Sequence, residues 1–237
     1  MKLSIVIPLY NEERQILQLL GKVIAVELPD FVEEREIVIV DDYSTDASFD
    51  VVSEFITDKP YISLFKHEKN QGKGAAVRTG FSKAKGEVYL IQDADLELDP
   101  RDIPGLIHAM KELNIEFING SRYLSGMARP ISSYKRFLAN KFFTFLTSIL
   151  IDVRLTDMAC GYKLVHKDLV NKVSLKENRF GFEAEIIIKA LRVKKNNVAE
   201  LPVQYFPRNY GEGKKLNNGD AFKILWTIFK YGVLRLN

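Results

Sequence analysis

The sequence predicts an α/β fold built on a mostly parallel sheet with helices on both faces. Apolar runs of strand length alternate with segments whose apolar residues recur at helical spacing through the first half of the chain. Such alternation produces right-handed crossovers between parallel strands. Polar residues follow several of the apolar runs directly, where ligands bind in open parallel sheets. The pattern therefore predicts both the fold class and the edge of the sheet at which a site should lie.

Strands and helices alternate strictly up to residue 120. Strands are predicted at residues 3–9, 36–40, 61–65, 87–91 and 116–120. Helices are predicted around residues 16–24, from a cap at Asp46 to residue 56, over 75–85 behind a glycine turn, and around 103–110. Each helix follows one strand and precedes the next, as a parallel sheet requires.

The second half of the chain is less regular. Helices are predicted at residues 137–151 and 181–195, and a late strand at 198–206. The segment 221–236 is apolar and aromatic and carries Lys223 and Lys230, which are seven residues apart and share a helix face. Apolar helices with scattered basic residues are typical of membrane-surface helices. Burial of the same apolar residues in the core is the alternative for both 137–151 and 221–236.

Composition places the chain among ordinary globular proteins and excludes several classes. Apolar residues make up 46% and charged residues 27% of the 237 residues. The net charge of +3 is too small to indicate a nucleic-acid partner. Cys160 is the single cysteine, which excludes an intrachain disulfide and fits the cytosol. No apolar run reaches the roughly 18 residues that a spanning helix needs, so we expect a soluble or peripheral protein.

Four carboxylates crowd the segment that follows the fourth predicted strand: Asp93, Asp95, Glu97 and Asp99. Asp93 and Asp95 flank Ala94 in a D-x-D arrangement, which can turn both carboxylates toward one ion. Mg²⁺ in proteins commonly uses one or two carboxylates together with substrate phosphates. On these residues alone, a solvated acidic turn and a cation shared with a diphosphate ligand are both open. Asp99 precedes Pro100 and is expected only to shape the turn into the next helix.

A glycine-rich turn precedes the third predicted helix at Gly72, Lys73 and Gly74. It is not a Walker loop, because His67 stands where that motif needs glycine and Gly74 where it needs serine or threonine. A glycine turn at a helix start still suits an anion. A close strand-to-helix turn with a solvated Lys73 is the alternative.

Five motifs occur in order along the chain: SIVIPLYNE, IVIVDDYSTD, NQGKGAAVRTG, QDADLELDP and NGSRY. With them the chain resembles the family 2 glycosyltransferases of the GT-A fold. It is most similar to polyprenyl-phosphate enzymes of the dolichyl-phosphate mannose or glucose synthase type. The later segments LTDMACGYKL, NRFGFEAEI and RNYGEGKKL agree, so the resemblance covers nearly the whole chain.

The resemblance implies a donor site and a metal site at matching positions. The residues expected to hold the nucleotide or its diphosphate are Pro8, Tyr10, Glu12, Asp41, Asp93, Ala94, Asp95, Arg208 and Lys214. A divalent cation, Mg²⁺ or Mn²⁺, would be bound by Asp93, Asp95 and Glu97. Two departures from the family pattern bear on the donor: Gly213 replaces a frequent serine, and Glu183 stands where some mannose synthases carry a basic residue.

The resemblance also implies an acceptor site, in which Arg122 and Arg136 receive the acceptor phosphate. A phosphate monoester is largely dianionic at pH 7 and needs no general base. His67, His108 and His166 lie outside the motifs and are expected at the surface. Asp157 is the one additional candidate catalytic carboxylate, with turn capping as the alternative.

The expected function is inverting transfer of a hexose from GDP-mannose, UDP-glucose or UDP-N-acetylglucosamine to a polyprenyl (dolichyl) phosphate. The alternatives are a family 2 enzyme with a soluble glycan or other hydroxyl acceptor, and a nucleotide-sugar-binding regulator without turnover. The arginines at positions 122, 129 and 136 favour a phosphate acceptor over a hydroxyl, which would need a carboxylate base.

The expected organisation follows from the same roles. Residues 1–120 form a nucleotide-sugar-binding half, 121–216 an acceptor-binding half of the same domain, and 217–237 a C-terminal amphipathic helix. The protein is expected to be cytoplasmic and peripheral on the cytoplasmic face of a membrane. Its expected partners are the donor, the lipid acceptor, the membrane surface and a possible membrane protein, with no nucleic acid.

Overall fold

The computed structural model describes residues 1–124, 126, 133–193, 197–207 and 218–236. The strands are β1 (Lys2–Leu9), β2 (Glu34–Asp41), β3 (Ile62–Lys66), β4 (Val88–Ile91), β5 (Phe117–Ser121), β6 (Lys163–His166) and β7 (Val198–Pro202). The helices are α1 (Ile16–Ala25), α2 (Ser48–Phe55), α3 (Lys73–Lys83), α4 (Ile103–Glu112), α5 (Tyr134–Ile151), α6 (Lys167–Lys172), α7 (Phe182–Val193) and α8 (Asn218–Gly232).

The strands form one seven-stranded sheet in the order β3-β2-β1-β4-β6-β5-β7. All neighbours pair in parallel except that β6 runs antiparallel to both β4 and β5. The predicted mostly parallel sheet is therefore confirmed. The sheet also continues through both predicted halves of the chain, because β6 and β7 lie in the second half and pair with strands of the first.

Two hydrophobic clusters cover the two faces of the sheet. Alternate residues of β1 divide between them: Ile5 and Ile7 belong to the cluster that contains α1, α2 and α4, whereas Val6 belongs to the cluster with α3, α5, α7 and α8. A Cβ on Gly80 of α3 would lie 2.3 Å from Val6, so only glycine permits this close approach of helix to strand. Helices on both faces are thus confirmed.

The predicted strands and helices differ from the structure mainly in β6, which the sequence pattern does not reveal. β6 has only four residues, and its first, Lys163, is a fully buried charge in a position where a hydrophobic residue is expected. The late strand is also shorter than predicted and ends at Pro202, which has no N–H to donate to a neighbouring strand. Helix α3 begins at Lys73, two residues before the predicted start.

Candidate active site

A cavity of about 890 Å³ opens at the carboxyl ends of β1, β2, β4 and β5. Parallel strands deliver the residues that follow them to one edge of a sheet, and this edge carries the cavity. β6 runs the opposite way, so the residues that precede it reach the same edge, among them Gly161. The second half of the chain thereby contributes to a site that the first half begins.

The cavity brings together most of the residues predicted for the site. Its walls include Pro8, Tyr10, Glu12, Asp93, Ala94, Asp95, Glu97, Arg122 and Arg136. Asp41 and Asp157 are not among the lining residues. Arg208 and Lys214, together with Arg129 and Gly213, lie outside the described residues.

Asp41 is fully buried at the end of β2, and its carboxylate accepts the Ser44 N–H at 3.2 and 3.3 Å. The neighbouring Asp42 lines the cavity instead. Asp42 accepts the backbone N–H groups of Gln71 (2.9 Å) and Gly72 (2.6 Å) and therefore holds the glycine turn in front of α3. The role implied for Asp41 remains a prediction.

The acidic segment after β4 is held by its own backbone and by residues that follow β7. The Asp95 carboxylate accepts the Glu97 N–H at 3.1 Å, and the Phe206 N–H donates to the Glu97 carbonyl oxygen at 2.8 Å. The Tyr205 hydroxyl donates to the Glu97 carboxylate at 3.4 Å. Burial of the Tyr205 hydroxyl and, to a smaller extent, the nearby negative charge of Glu97 raise the Tyr205 pKa to about 12. Asp99 accepts the Arg101 N–H at 3.0 Å, the turn-forming contact expected of it.

The chemistry of these side chains fits a divalent cation that is shared with a phosphate ligand. Asp93, Asp95 and Glu97 present hard oxygen atoms at one cavity wall. Among the described residues, no group of three or more Asp, Glu, His or Cys side chains is arranged to hold a metal by itself. An ion bound to this segment would therefore complete its coordination with oxygen atoms from a ligand, as Mg²⁺ commonly does.

A series of alternating charges extends from the D-x-D segment into the core. Lys73 Nζ lies 2.6 Å from Asp93 Oδ1 and 2.8 Å from Glu183 Oε1, and Glu183 Oε2 lies 2.5 Å from Lys163 Nζ. Burial alone would lower the Lys73 pKa, but Asp93 and Glu183 outweigh it, and the pKa is raised above its usual value. Lys73 is therefore not the solvated side chain of a simple turn.

A second buried ion pair joins Arg122, which follows β5, to Asp157. The Asp157 carboxylate accepts Arg122 Nε–H at 2.7 Å, Nη2–H at 2.9 Å and its backbone N–H at 3.0 Å. Asn140 of α5 donates to the same carboxylate at 2.7 Å. Burial alone would raise the Asp157 pKa, but Arg122 more than compensates, and the pKa lies below its usual value. Asp157 is thus buried outside the cavity lining and fixes the position of Arg122, which lines the cavity.

Sequence reasoning missed several residues of the site and misplaced one histidine. The prediction that His67 is a surface residue is wrong: its buried ring lies between Asp42 (2.7 Å) and Thr79 (2.9 Å). The missed cavity residues include Asp42 and Gly161, whereas Glu183 is expected to bear on the choice of donor and does line the cavity. Asp42 could have been found from its place directly after a strand, whereas no sequence signal reveals that Glu183 contacts both Lys73 and Lys163.

Two helices that border the cavity expose rows of large apolar side chains. Exposed residues on α5 are Tyr134, Leu138, Phe142, Phe145 and Ile149. Exposed residues on α8 include Phe222, Trp226 and Phe229, while its Ile224, Ile228 and Tyr231 are buried. α5 and α8 pack against each other, and both contribute residues to the cavity wall. Each helix thus has one apolar face in the core and another at the surface.

The basic residues of α8 behave differently from each other. Lys223 is exposed, whereas Lys230 Nζ lies 2.9 Å from the Glu177 carboxylate.

No helix within the described part of the chain combines the length and the apolar character required to cross a membrane.

The amino-acid sequence is similar to those of two characterised classes of sugar transferase. The chain is 31% identical over 235 residues to the dolichol-phosphate mannosyltransferase of Pyrococcus furiosus, covering 97% of this chain and 63% of that protein. It is 29% identical over 245 residues to the dolichyl-phosphate beta-glucosyltransferase of Trichomonas vaginalis, covering 98% of this chain and 73% of that protein. The chain therefore spans less than two thirds of the Pyrococcus protein.

A solved structure with the same fold is the glucosyl-3-phosphoglycerate synthase of Mycobacterium tuberculosis, in complex with Mn²⁺, UDP and phosphoglyceric acid. The TM-score is 0.72 at 16% identity, covering 98% of this chain and 78% of that chain. The model of glycosyl transferase family 2 matches residues 4–174, which is most of the sequence. The chain belongs to glycosyl transferase family 2.

Proposed function

We propose that the protein transfers a hexose, with inversion, from a nucleotide-diphosphate sugar to a polyprenyl phosphate. The observation that carries the proposal is one cavity lined both by the carboxylates of the D-x-D segment and by Arg122 and Arg136. Carboxylates suit a metal-bound donor diphosphate, and arginines suit an acceptor that is itself a phosphate. The names of the Pyrococcus and Trichomonas relatives support the same acceptor class.

Charge develops on the leaving nucleotide diphosphate as the glycosidic bond breaks. Mg²⁺ or Mn²⁺ bound with the donor would supply Lewis-acid stabilisation of that charge. Asp93 and Asp95 would hold the ion, with Glu97 beside them. The walls formed by Pro8, Tyr10 and Glu12 would receive the nucleotide. GDP-mannose, UDP-glucose and UDP-N-acetylglucosamine all remain candidate donors.

The acceptor phosphate attacks without a general base, because its oxygen is already anionic. Arg122, fixed by Asp157, would orient the phosphate, since guanidinium groups bind phosphate through paired hydrogen bonds. Arg136, exposed near the start of α5, would contribute the second cation. Asp157 accepts three hydrogen bonds from Arg122, so we assign it a positioning role in place of general-base catalysis.

A lipid acceptor requires contact with a membrane, and the exposed apolar faces of α5 and α8 are the surfaces that we propose for it. Interfacial helices bury such a face at the boundary between headgroups and acyl chains. Lys223 and Lys135 are exposed beside these faces and would contact anionic headgroups. The protein would then act as a peripheral protein on the cytoplasmic face of a membrane. A membrane protein partner is compatible with the same surface.

The test is transfer of labelled sugar to a short-chain polyprenyl phosphate in the presence of Mn²⁺, with each candidate donor. Arg136→Ala should raise the apparent KM for the lipid phosphate about tenfold or more, because a charged hydrogen bond is lost. The KM for the donor should change less than about twofold. Arg154→Ala, which removes an exposed arginine that does not line the cavity, is the matched control.

Two results would count against the proposal. Transfer to a soluble glycan in place of the lipid phosphate would favour the hydroxyl-acceptor alternative. Equal increases of both KM values in Arg136→Ala would remove that residue from the acceptor site.

Membrane contact has a separate test with vesicles that contain anionic phospholipid. Changing Phe145 and Trp226 together to serine should lower the vesicle partition coefficient by at least about tenfold, because two apolar side chains are lost from the interface. Sedimentation with vesicles measures this partition. Leu113→Ser alters an equally exposed apolar residue at the end of α4 and should bind like the unaltered protein. Equal losses in both variants would argue against a specific membrane face.

A further inference from the structure

The ion pairs around Asp93 carry an inference about how metal binding and nucleotide binding are linked. It rests on the proposed function, because it takes Asp93 and Asp95 as the carboxylates that bind the metal of the donor complex. Lys73 Nζ lies 2.6 Å from Asp93 Oδ1, so the first of these carboxylates already has a cation beside it. A metal ion bound to Asp93 would share this carboxylate with an ammonium group.

The backbone of Lys73 is held firmly in place. Asp42 accepts the N–H of the preceding Gly72 at 2.6 Å. Gly72 has φ +103°, and a Cβ at this position would lie 2.4 Å from the Asn178 carbonyl oxygen. The turn therefore packs directly against the segment before α7, which restricts movement of the Lys73 backbone away from Asp93.

The side chain of Lys73 is held as well, by a carboxylate that is itself shared. Glu183 lies 2.8 Å from Lys73 and 2.5 Å from the fully buried Lys163. Lys163 also donates to the Cys160 carbonyl oxygen at 2.5 Å. Because Glu183 forms ion pairs with both Lys73 and Lys163, its single negative charge is shared between two positive charges. The charges of Asp93, Lys73, Glu183 and Lys163 balance as a set of four.

This balance changes when a divalent cation binds to Asp93. The metal brings positive charge to a carboxylate whose charge Lys73 already offsets, and like charges at close range in a partly buried site repel strongly. A diphosphate that arrives with the metal brings negative charge that stabilises both cations. Metal and nucleotide should therefore bind better together than separately.

We propose that Lys73 is the internal cation that couples binding of the divalent metal to binding of the nucleotide diphosphate. It weakens binding of the metal alone and favours the metal–nucleotide complex. Such coupling is reciprocal, so the metal strengthens nucleotide binding by the same factor.

The experiment is titration calorimetry of Mn²⁺ into the full chain, without nucleotide and with saturating UDP, and then again with GDP. In Lys73→Met, Mn²⁺ should bind the nucleotide-free protein about tenfold more tightly, and the factor by which nucleotide strengthens Mn²⁺ binding should fall about tenfold. Lys73→Arg keeps the charge and should keep the factor. Lys69→Met removes an exposed lysine four residues earlier and should change neither quantity.

A second neutral variant separates charge from positioning. Lys73→Gln keeps a side-chain N–H donor on the same residue but carries no charge, so it should behave like Lys73→Met. A wild-type coupling factor in either neutral variant would overturn the proposal while leaving the proposed function in place. Mn²⁺ binding that neither UDP nor GDP strengthens in the unaltered protein would overturn both.

Discussion

Replacing Asp95 by alanine should reduce sugar transfer by about three orders of magnitude, because the ion that stabilises the leaving diphosphate loses a ligand. Asp95 is partly exposed at the cavity wall, and its carboxylate accepts a 3.1 Å hydrogen bond from the Glu97 N–H. Removing a carboxylate from such a position changes the free energy of unfolding little. Transfer assays and thermal unfolding, measured on the same preparation, should therefore show a large loss of activity at nearly unchanged stability.

Asp99→Ala is the matched control, because Asp99 belongs to the same acidic segment. Asp99 caps the 3₁₀ turn Pro100–Asp102 and forms an ion pair with Arg101 at 2.6 Å. Its loss should lower the free energy of unfolding by about 1 kcal/mol, the usual effect of losing a cap, and leave transfer largely unchanged. Full activity of Asp95→Ala, or full activity of the unaltered protein in EDTA, would remove the metal from the proposal.

Replacing Asp157 by alanine should lower the free energy of unfolding by about 3–5 kcal/mol, the usual effect of breaking a buried ion pair on one side. Arg122 would keep its charge without the carboxylate that pairs with it, and the side-chain N–H of the buried Asn140 would lose its acceptor. Denaturant unfolding at neutral pH measures the loss. Asp30→Ala removes an exposed carboxylate and should change stability by less than about 0.5 kcal/mol. An equally small decrease in the unfolding free energy of Asp157→Ala would contradict a stabilising role for the buried Arg122–Asp157 ion pair.

The pH dependence of stability gives an independent check with Asp157→Asn. A carboxyl whose pKa is depressed by folding stabilises the protein fully above its unfolded pKa, which is 3.8 for Asp157. That stability is lost as the pH falls through the lower folded value. The difference in unfolding free energy between the unaltered protein and Asp157→Asn should therefore be constant near neutrality and shrink below about pH 4. A difference that does not shrink would show that the charge of Asp157 is not responsible.

The parallel part of the fold could be predicted because its signals are local. Ile5, Ile7 and their neighbours in β1 form an uninterrupted apolar run, and Ile16, Leu19 and Leu20 recur at helical spacing. The residues that follow these strands are predicted to lie close together, because parallel strands share a carboxyl edge. Pro8, Tyr10, Asp93 and Arg122 accordingly line one cavity.

The remainder of the site depends on contacts between distant parts of the chain. The partners of Lys73 are Asp93 and Glu183, which are 20 and 110 residues away in sequence. Nothing local distinguishes Lys73 from a solvated lysine or Asp157 from a capping residue. Burial of charge is favourable only when a partner is present, and that partner becomes visible only once the chain is folded.

The antiparallel strand β6 has a consequence for how the chain can fold. β5 pairs only with β6 and β7 among the described strands, although β5 lies within the first 121 residues and its partners begin at residue 163. A fragment that ends at residue 120 would leave β4 with an open edge and β5 without a neighbour. During synthesis, β5 can therefore pair with the sheet only after about 40 further residues have been added to the chain. Truncation or proteolytic cleavage between β5 and β6 should yield an aggregation-prone intermediate with an unpaired strand edge, and no autonomous nucleotide-binding half.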